Sequence, residues 1–196
     1  MNFPLFLPLL VFMVPYQGDA AVVRSFAEKP GCDDFFFNKK EPTGLNPASS
    51  AIICQTYASI TFYATLYDRA NRIPRYSAYV VDRNAQSTGR ESYWKIEPQL
   101  ADNNLGENME DESDFKIQRK DKIQALVQSQ AVDADYKEKS NIYDRGHLNP
   151  NQHHNTEESR AATFTLTNIV PQTKKVNHGQ CMKTCYKRKH AAHCML

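Results

Sequence analysis

The sequence predicts an α+β fold on a mixed or antiparallel sheet, and three observations carry that expectation. Residues 51–57 and 59–67 are rich in β-branched and aromatic side chains, the composition of pleated, half-buried strands. A polar, turn-forming break at residues 68–74 gives way to a third such run at 76–81, which reads as an antiparallel hairpin. Residues 120–130 place Ile123, Leu126 and Val127 at helical spacing, one short amphipathic helix able to cover a sheet face. With 196 residues, 41% of them hydrophobic and 23% charged, the chain can build one core, so a single domain is expected.

Between the hairpin and that helix, residues 83–114 are polar and loop-like, and loops of that length are commonly functional. Residues 143–148 form another short strand candidate. Asn155 followed three positions on by Glu158 resembles a capping box and suggests a brief helix. Residues 163–170 alternate as a strand does until Pro171, which is expected to stop it, and a further helix is expected from Asn177.

The first 14 residues are apolar, uncharged and too short to span a bilayer, with Gly18 and Ala20 following. Residues 1–20 therefore read as a cleaved signal peptide, or alternatively as a retained N-terminal anchor. The first reading implies a secreted protein with no membrane association after cleavage. A secretory route favours disulfides. The cysteines are Cys32, Cys54, Cys181, Cys185 and Cys194; their odd number leaves at least one outside intrachain pairs unless some bind metal. A Cys32–Cys54 bridge is expected, because it would pin an irregular N-terminal stretch to the first strand.

Net charge is only +2, but charge is unevenly placed. Acids without bases fill residues 97–115, whereas bases without acids follow Glu158, among them Lys174 and Lys175. A basic C-terminal third suits a polyanion such as nucleic acid, although a solvated basic end explains the charge equally well.

Asp144-Arg145-Gly146-His147 packs a carboxylate, a permanent cation, a glycine and a near-neutral proton acceptor into one tetrapeptide. Hydrolysing a phosphodiester needs a base for water, positive charge beside the phosphate and usually a divalent cation. His147 can be the base, since imidazole titrates near neutrality. Arg145 can clamp phosphate through its planar fork. On a strand, residues 145 and 147 share a face, which leaves Asp144 a supporting, structural role on the other.

Downstream lie Thr167-Asn168-Ile169-Val170-Pro171-Gln172 and Val176-Asn177-His178-Gly179. This ordered set resembles the DNA/RNA non-specific endonucleases of the ββα-metal type. Asp33-Asp34-Phe35-Phe36-Phe37, Ile53-Cys54-Gln55, residues 67–74 and Tyr76-Ser77-Ala78-Tyr79 are similar to the endonuclease domain-containing 1 branch, so the likeness spans roughly residues 22–180. The resemblance implies a nuclease domain over residues 21–196 that acts on DNA and RNA. It implies His147 as general base and Asn177 as the protein ligand of one Mg²⁺, other divalent cations being possible. It makes Asn168 and Arg145 polar supports of the catalytic site, and Arg145, Lys174 and Lys175 candidate substrate contacts.

The chain departs from the family after Gly179-Gln180. Where the family has a tryptophan and then a glutamate that supports the metal-bound water, this chain has Cys181 and Cys185, and its C-terminal part is expected to be incomplete relative to the family. Cys181, Cys185, His190, His193 and Cys194 are spaced too tightly for a zinc finger, which favours disulfides or a basic tail. His153 and His154 are expected at the surface in a supporting role, and Trp94 is expected to be structural rather than a base-stacking platform. Two functional readings follow. The first is a secreted Mg²⁺-dependent endonuclease; the second is a catalytically weak extracellular nucleic-acid-binding protein of the same fold.

Overall fold

The computed structural model describes residues 21–82, 85, 93–179 and 193–195. The proposed leader and the tail residues Cys181, Cys185 and His190 lie outside that set. The central sheet is antiparallel, with β1 (Val22–Val23), β2 (Ser50–Tyr57), β3 (Ile60–Asp68), β4 (Ile73–Val80) and β9 (His193–Met195) in the order β1-β2-β3-β4-β9. The hairpin expected around residues 68–74 is present as β3–β4, and β2 and β3 form a second one. The β2–β3 turn uses Ala58 and Ser59 at φ 49° and 63°, the signs a type I′ turn demands. Ser59 donates its N–H to Asn108 Oδ1 at 2.7 Å, which holds that otherwise unfavoured backbone in place. At the β3–β4 turn, buried Asp68 accepts from Asn71 Nδ2 at 2.8 Å and from Ser49 Oγ at 3.0 Å.

Alternation along the strands sorts side chains onto two faces, and both are covered. One face carries Cys54, Ala64, Leu66, Tyr76 and Ala78 against Phe26, Cys32 and Phe36 of the N-terminal segment. There Phe36 meets Tyr76 edge-on with centroids 6.2 Å apart, and Cys32 is bonded to Cys54, as expected. The opposite face carries Gln55, Tyr63, Thr65, Tyr67, Ser77 and Tyr79, all without solvent exposure. The remaining elements are β5 (Lys95–Ile96), α1 (Pro98–Ala101), β6 (Glu110–Asp111), α2 (Glu112–Gln118), α3 (Ile123–Ser129), α4 (Asp133–Lys137), β7 (Tyr143–His147), α5 (Glu157–Ala162), β8 (Ile169–Thr173) and α6 (Lys174–Gly179), of which α5 contacts β2 and β8 contacts β4. A second core gathers Ile96, Phe115, Leu126, Val132 and Leu166. Among the described residues no helix is long and apolar enough to cross a membrane.

Several local expectations are corrected. The stretch read as loop at 83–114 contains β5, α1, β6 and the start of α2, elements of two to seven residues whose length is below that needed to show a period. The helix α5 is capped by Thr156, whose Oγ1 accepts from Ser159 N–H at 3.1 Å, not by Asn155. Residues 163–168 are not strand; Thr163, Phe164, Thr165, Leu166, Thr167 and Asn168 are all buried, so their alternation does not mark one wet and one dry face. The strand lies at Ile169–Thr173 and includes Pro171. In a two-stranded ribbon each strand has a free edge, where a missing N–H is tolerated.

Candidate active site on a two-stranded ribbon and its helix

Strands β7 and β8 form an antiparallel ribbon with Asp144 opposite Gln172, Gly146 opposite Val170 and His147 opposite Ile169. Helix α6 follows β8 without a loop and packs on both strands. The helix therefore begins at Lys174, three residues before the expected start, and Asn177 sits within it. The glycine of the tetrapeptide has a packing reason. A Cβ on Gly146 would come within 2.2 Å of the Gln172 side chain, so a larger residue there requires that side chain to move aside.

The two faces of β7 do different work. On one, Asp144 Oδ2 accepts a hydrogen bond from Asn177 Nδ2 at 3.3 Å. A carboxylate can only accept, so this contact turns the amide nitrogen of Asn177 toward Asp144 and leaves its Oδ1 directed elsewhere. On the other face, Arg145 and His147 both lie against Trp94. The Arg145 guanidinium is 4.8 Å from the Trp94 ring centre and 5.6 Å from that of Tyr136. It also donates to the Asp133 carbonyl at 3.2 Å and pairs with the Asp133 carboxylate. The His147 ring lies 5.8 Å from Trp94 and 5.1 Å, edge-on, from Phe164. Trp94 thus has the structural place expected of it, as the floor under two residues of the tetrapeptide.

Asn168 is fully buried, and its amide is saturated. Oδ1 accepts from Asn149 N–H at 2.9 Å and from Ser77 Oγ at 3.0 Å, while Nδ2 donates to the carbonyls of Asn149 and Thr163, each at 3.0 Å. The residue ties the segment after His147 to β4 of the central sheet. Lys174 and Lys175 are exposed at the start of α6.

His153 and His154 are corrected from surface to interior, at 5% and 6% exposure. His153 Nδ1 lies 2.9 Å from the Tyr79 hydroxyl, and His154 Nε2 lies 2.7 Å from Asn149 Oδ1. Burial lowers both pKa values, that of His154 to about 4 with a further lowering from the adjacent His153. Adjacent histidines on a polar loop give no sequence signal of this. Two further residues were not foreseen. Asp133 anchors Arg145 from a helix of five residues, and Glu97 is buried next to Thr165 and Thr167, where desolvation raises its carboxyl to about 8. Neither threonine hydroxyl reaches full hydrogen-bonding geometry with that carboxyl, and both of its oxygens lack a partner.

A cavity of about 230 Å³ opens beside the Asp144–Asn177 pair and is also lined by Arg145, Tyr136, Lys137, Ser140 and Tyr143. Among the described residues no group of three or more His, Cys, Asp or Glu side chains could hold a metal by itself. The donors beside this cavity are hard oxygens, one amide and one carboxylate. They fit a hard divalent cation that keeps most of its water, and they offer nothing to a thiolate-seeking metal.

Comparison with known proteins gives the same outline. Residues 43–185 match the family model for DNA/RNA non-specific endonucleases. The endonuclease domain-containing 1 protein of Homo sapiens is 37% identical over 143 residues, which are 73% of this chain and 27% of that protein. The protein of the same name in Mus musculus is 35% identical over 145 residues, again 73% and 27%. The chain spans about a quarter of the length of these curated relatives. A family match over residues 43–185, most of the chain, places this chain in the DNA/RNA non-specific endonuclease family.

Proposed function

We propose that this chain is a secreted, divalent-metal-dependent endonuclease that hydrolyses phosphodiester bonds of DNA and RNA without reading sequence. The observation that carries this reading is the Asp144–Asn177 contact, which orients one amide oxygen on the helix behind a strand that also bears His147. His147 takes a proton from the attacking water, the water oxygen bonds to phosphorus, and the bond to the leaving oxygen breaks; that oxygen then takes a proton from solvent. Asp144 holds the Asn177 amide in the orientation that presents Oδ1, and Asn177 with water would hold the cation. Mg²⁺ bound there would supply positive charge to the phosphate and the leaving oxygen.

Arg145 acts as a positioning residue. Its guanidinium is held by Asp133 and the Trp94 and Tyr136 rings, so it fixes the strand that carries His147 and lends the site positive charge from a set position. Asn168 positions the same strand from behind. Lys174 and Lys175 are cations at a helix start, where they oppose the dipole, and a polyanionic substrate gives them a favourable partner.

The test is the metal requirement. Asn177→Ala should raise the Mg²⁺ concentration needed for half-maximal cleavage at least tenfold, while the melting temperature changes little. An unchanged Mg²⁺ requirement in a folded Asn177→Ala protein would remove this asparagine from the site.

A further inference from the structure

The cavity beside Asp144 and Asn177 has a far wall that the hydrolysis does not use. That wall is Tyr136, Lys137, Ser140 and Tyr143, contributed by α4, the turn after it and the first residue of β7. These residues differ in how committed they are. Tyr136 donates its hydroxyl to the Ile169 carbonyl at 2.8 Å and lies under Arg145, so its ring is fixed as structure. Lys137 is mostly exposed and paired with Asp133 at 2.5 Å. Tyr143 is 40% exposed, and among the described residues its hydroxyl has no hydrogen-bond partner.

An exposed aromatic ring at the mouth of a cavity keeps a flat apolar face in water, and a nucleobase can cover such a face whatever its identity. The space suits one nucleoside. At about 230 Å³ it is smaller than the roughly 300–1,000 Å³ of pockets that enclose drug-sized ligands. It cannot accept a base pair still stacked in a duplex. The cations Lys137 and Arg145 also line it, together with Asp144 and Asn177.

We propose that this cavity receives the nucleoside beside the scissile phosphate, with its base unstacked and lying on Tyr143, so that Tyr143 is a specificity-determining residue favouring single-stranded DNA or RNA over duplex. The proposal rests on the endonuclease reading of the same site. A duplex must first open a base pair, at a cost in free energy, whereas a single strand offers the base freely.

Two measurements test this and separate it from the reading beneath it. In the first, the His147→Ala protein is titrated with a single-stranded oligonucleotide containing 2-aminopurine, whose fluorescence falls on stacking. Quenching is expected with Tyr143 or Tyr143→Phe and is expected to be lost with Tyr143→Ala; quenching that survives Tyr143→Ala overturns the proposal. In the second, cleavage of one sequence is compared as single strand and as duplex. Tyr143→Ala should lower kcat/KM on the single strand about tenfold, the equivalent of one lost stacking contact, and markedly less on the duplex. Equal losses on both, or none, overturn it. If the unmutated chain cuts neither substrate, the endonuclease reading fails by itself, and the quenching result alone sustains or overturns the subsite.

Discussion

Two buried polar clusters flank the same short segment, residues 163–168, and they are finished to different degrees. Around Asn168 every amide group has a partner at 2.9–3.0 Å. Around Glu97 the carboxyl oxygens and Gln55 Oε1 have none, although Gln55 Nε2 reaches Thr167 Oγ1 at 2.9 Å and the Thr165 and Thr167 hydroxyls lie close by. A satisfied cluster in a low dielectric fixes geometry, whereas an unsatisfied one stores a cost that a proton can relieve. The first ties the segment after His147 to β4, and the second reaches β2 through Gln55. The contrast suggests that site precision depends on Asn168, while the pH range of the fold depends on Glu97.

The largest effect should come from breaking the finished cluster. Asn168→Ala takes partners from two buried carbonyls and from the Asn149 N–H, and is expected to cost about 3 kcal/mol or more, read as a lower midpoint in urea unfolding. A loss below about 1 kcal/mol would mean that the cluster is not the anchor described.

Removing the charge from the unfinished cluster should act through pH. The raised carboxyl of Glu97 binds a proton in the folded state that the unfolded chain has lost above its ordinary range, so stability falls as pH rises from about 4.5 to about 8. Glu97→Gln abolishes that term. The stability difference between the two proteins should change by about 1.4 kcal/mol per pH unit inside this window and level off outside it. Parallel stability curves would contradict the assignment.

The opposite slope belongs to the buried histidines. His154 is lowered to about 4, so the unfolded chain takes up its proton first, and stability is lost as pH falls from about 6.5 toward 4. His154→Gln keeps a donor for Asn149 Oδ1 and should flatten that acid limb, as thermal melts between these pH values would show. Smallest of all should be Gln55→Leu. It removes one hydrogen bond together with one unpartnered oxygen, for a net change within about 1 kcal/mol by urea unfolding.

How much of this was legible in the sequence depends on whether the information was local. Strands β2, β3 and β4 announce themselves because eight or nine consecutive residues carry the pattern, and Asp144 to His147 is recognisable because its chemistry is concentrated in four positions. The Cys32–Cys54 bridge followed from the need to tie an irregular segment to a strand, and it is present. The contacts of Arg145 with Asp133 and Trp94 leave no trace in the sequence, because these partners are distant along the chain or sit on a helix too short to show a period. Glu97 and His154 are ionisable residues with no periodic pattern around them to mark them as interior, and only tertiary packing buries them. The role of Asn168 was expected as a polar support, but its partners, Ser77 and Asn149, are set by tertiary structure alone.

The most direct test of the account is nicking of supercoiled plasmid, with RNA cleavage in parallel, by the purified chain in Mg²⁺, in chelator and as His147→Ala. Mg²⁺-dependent cleavage that chelator stops and His147→Ala abolishes, with nucleic-acid binding retained, is the predicted result. A folded protein that binds DNA but cuts neither substrate, or one that cuts equally well without His147, would contradict it.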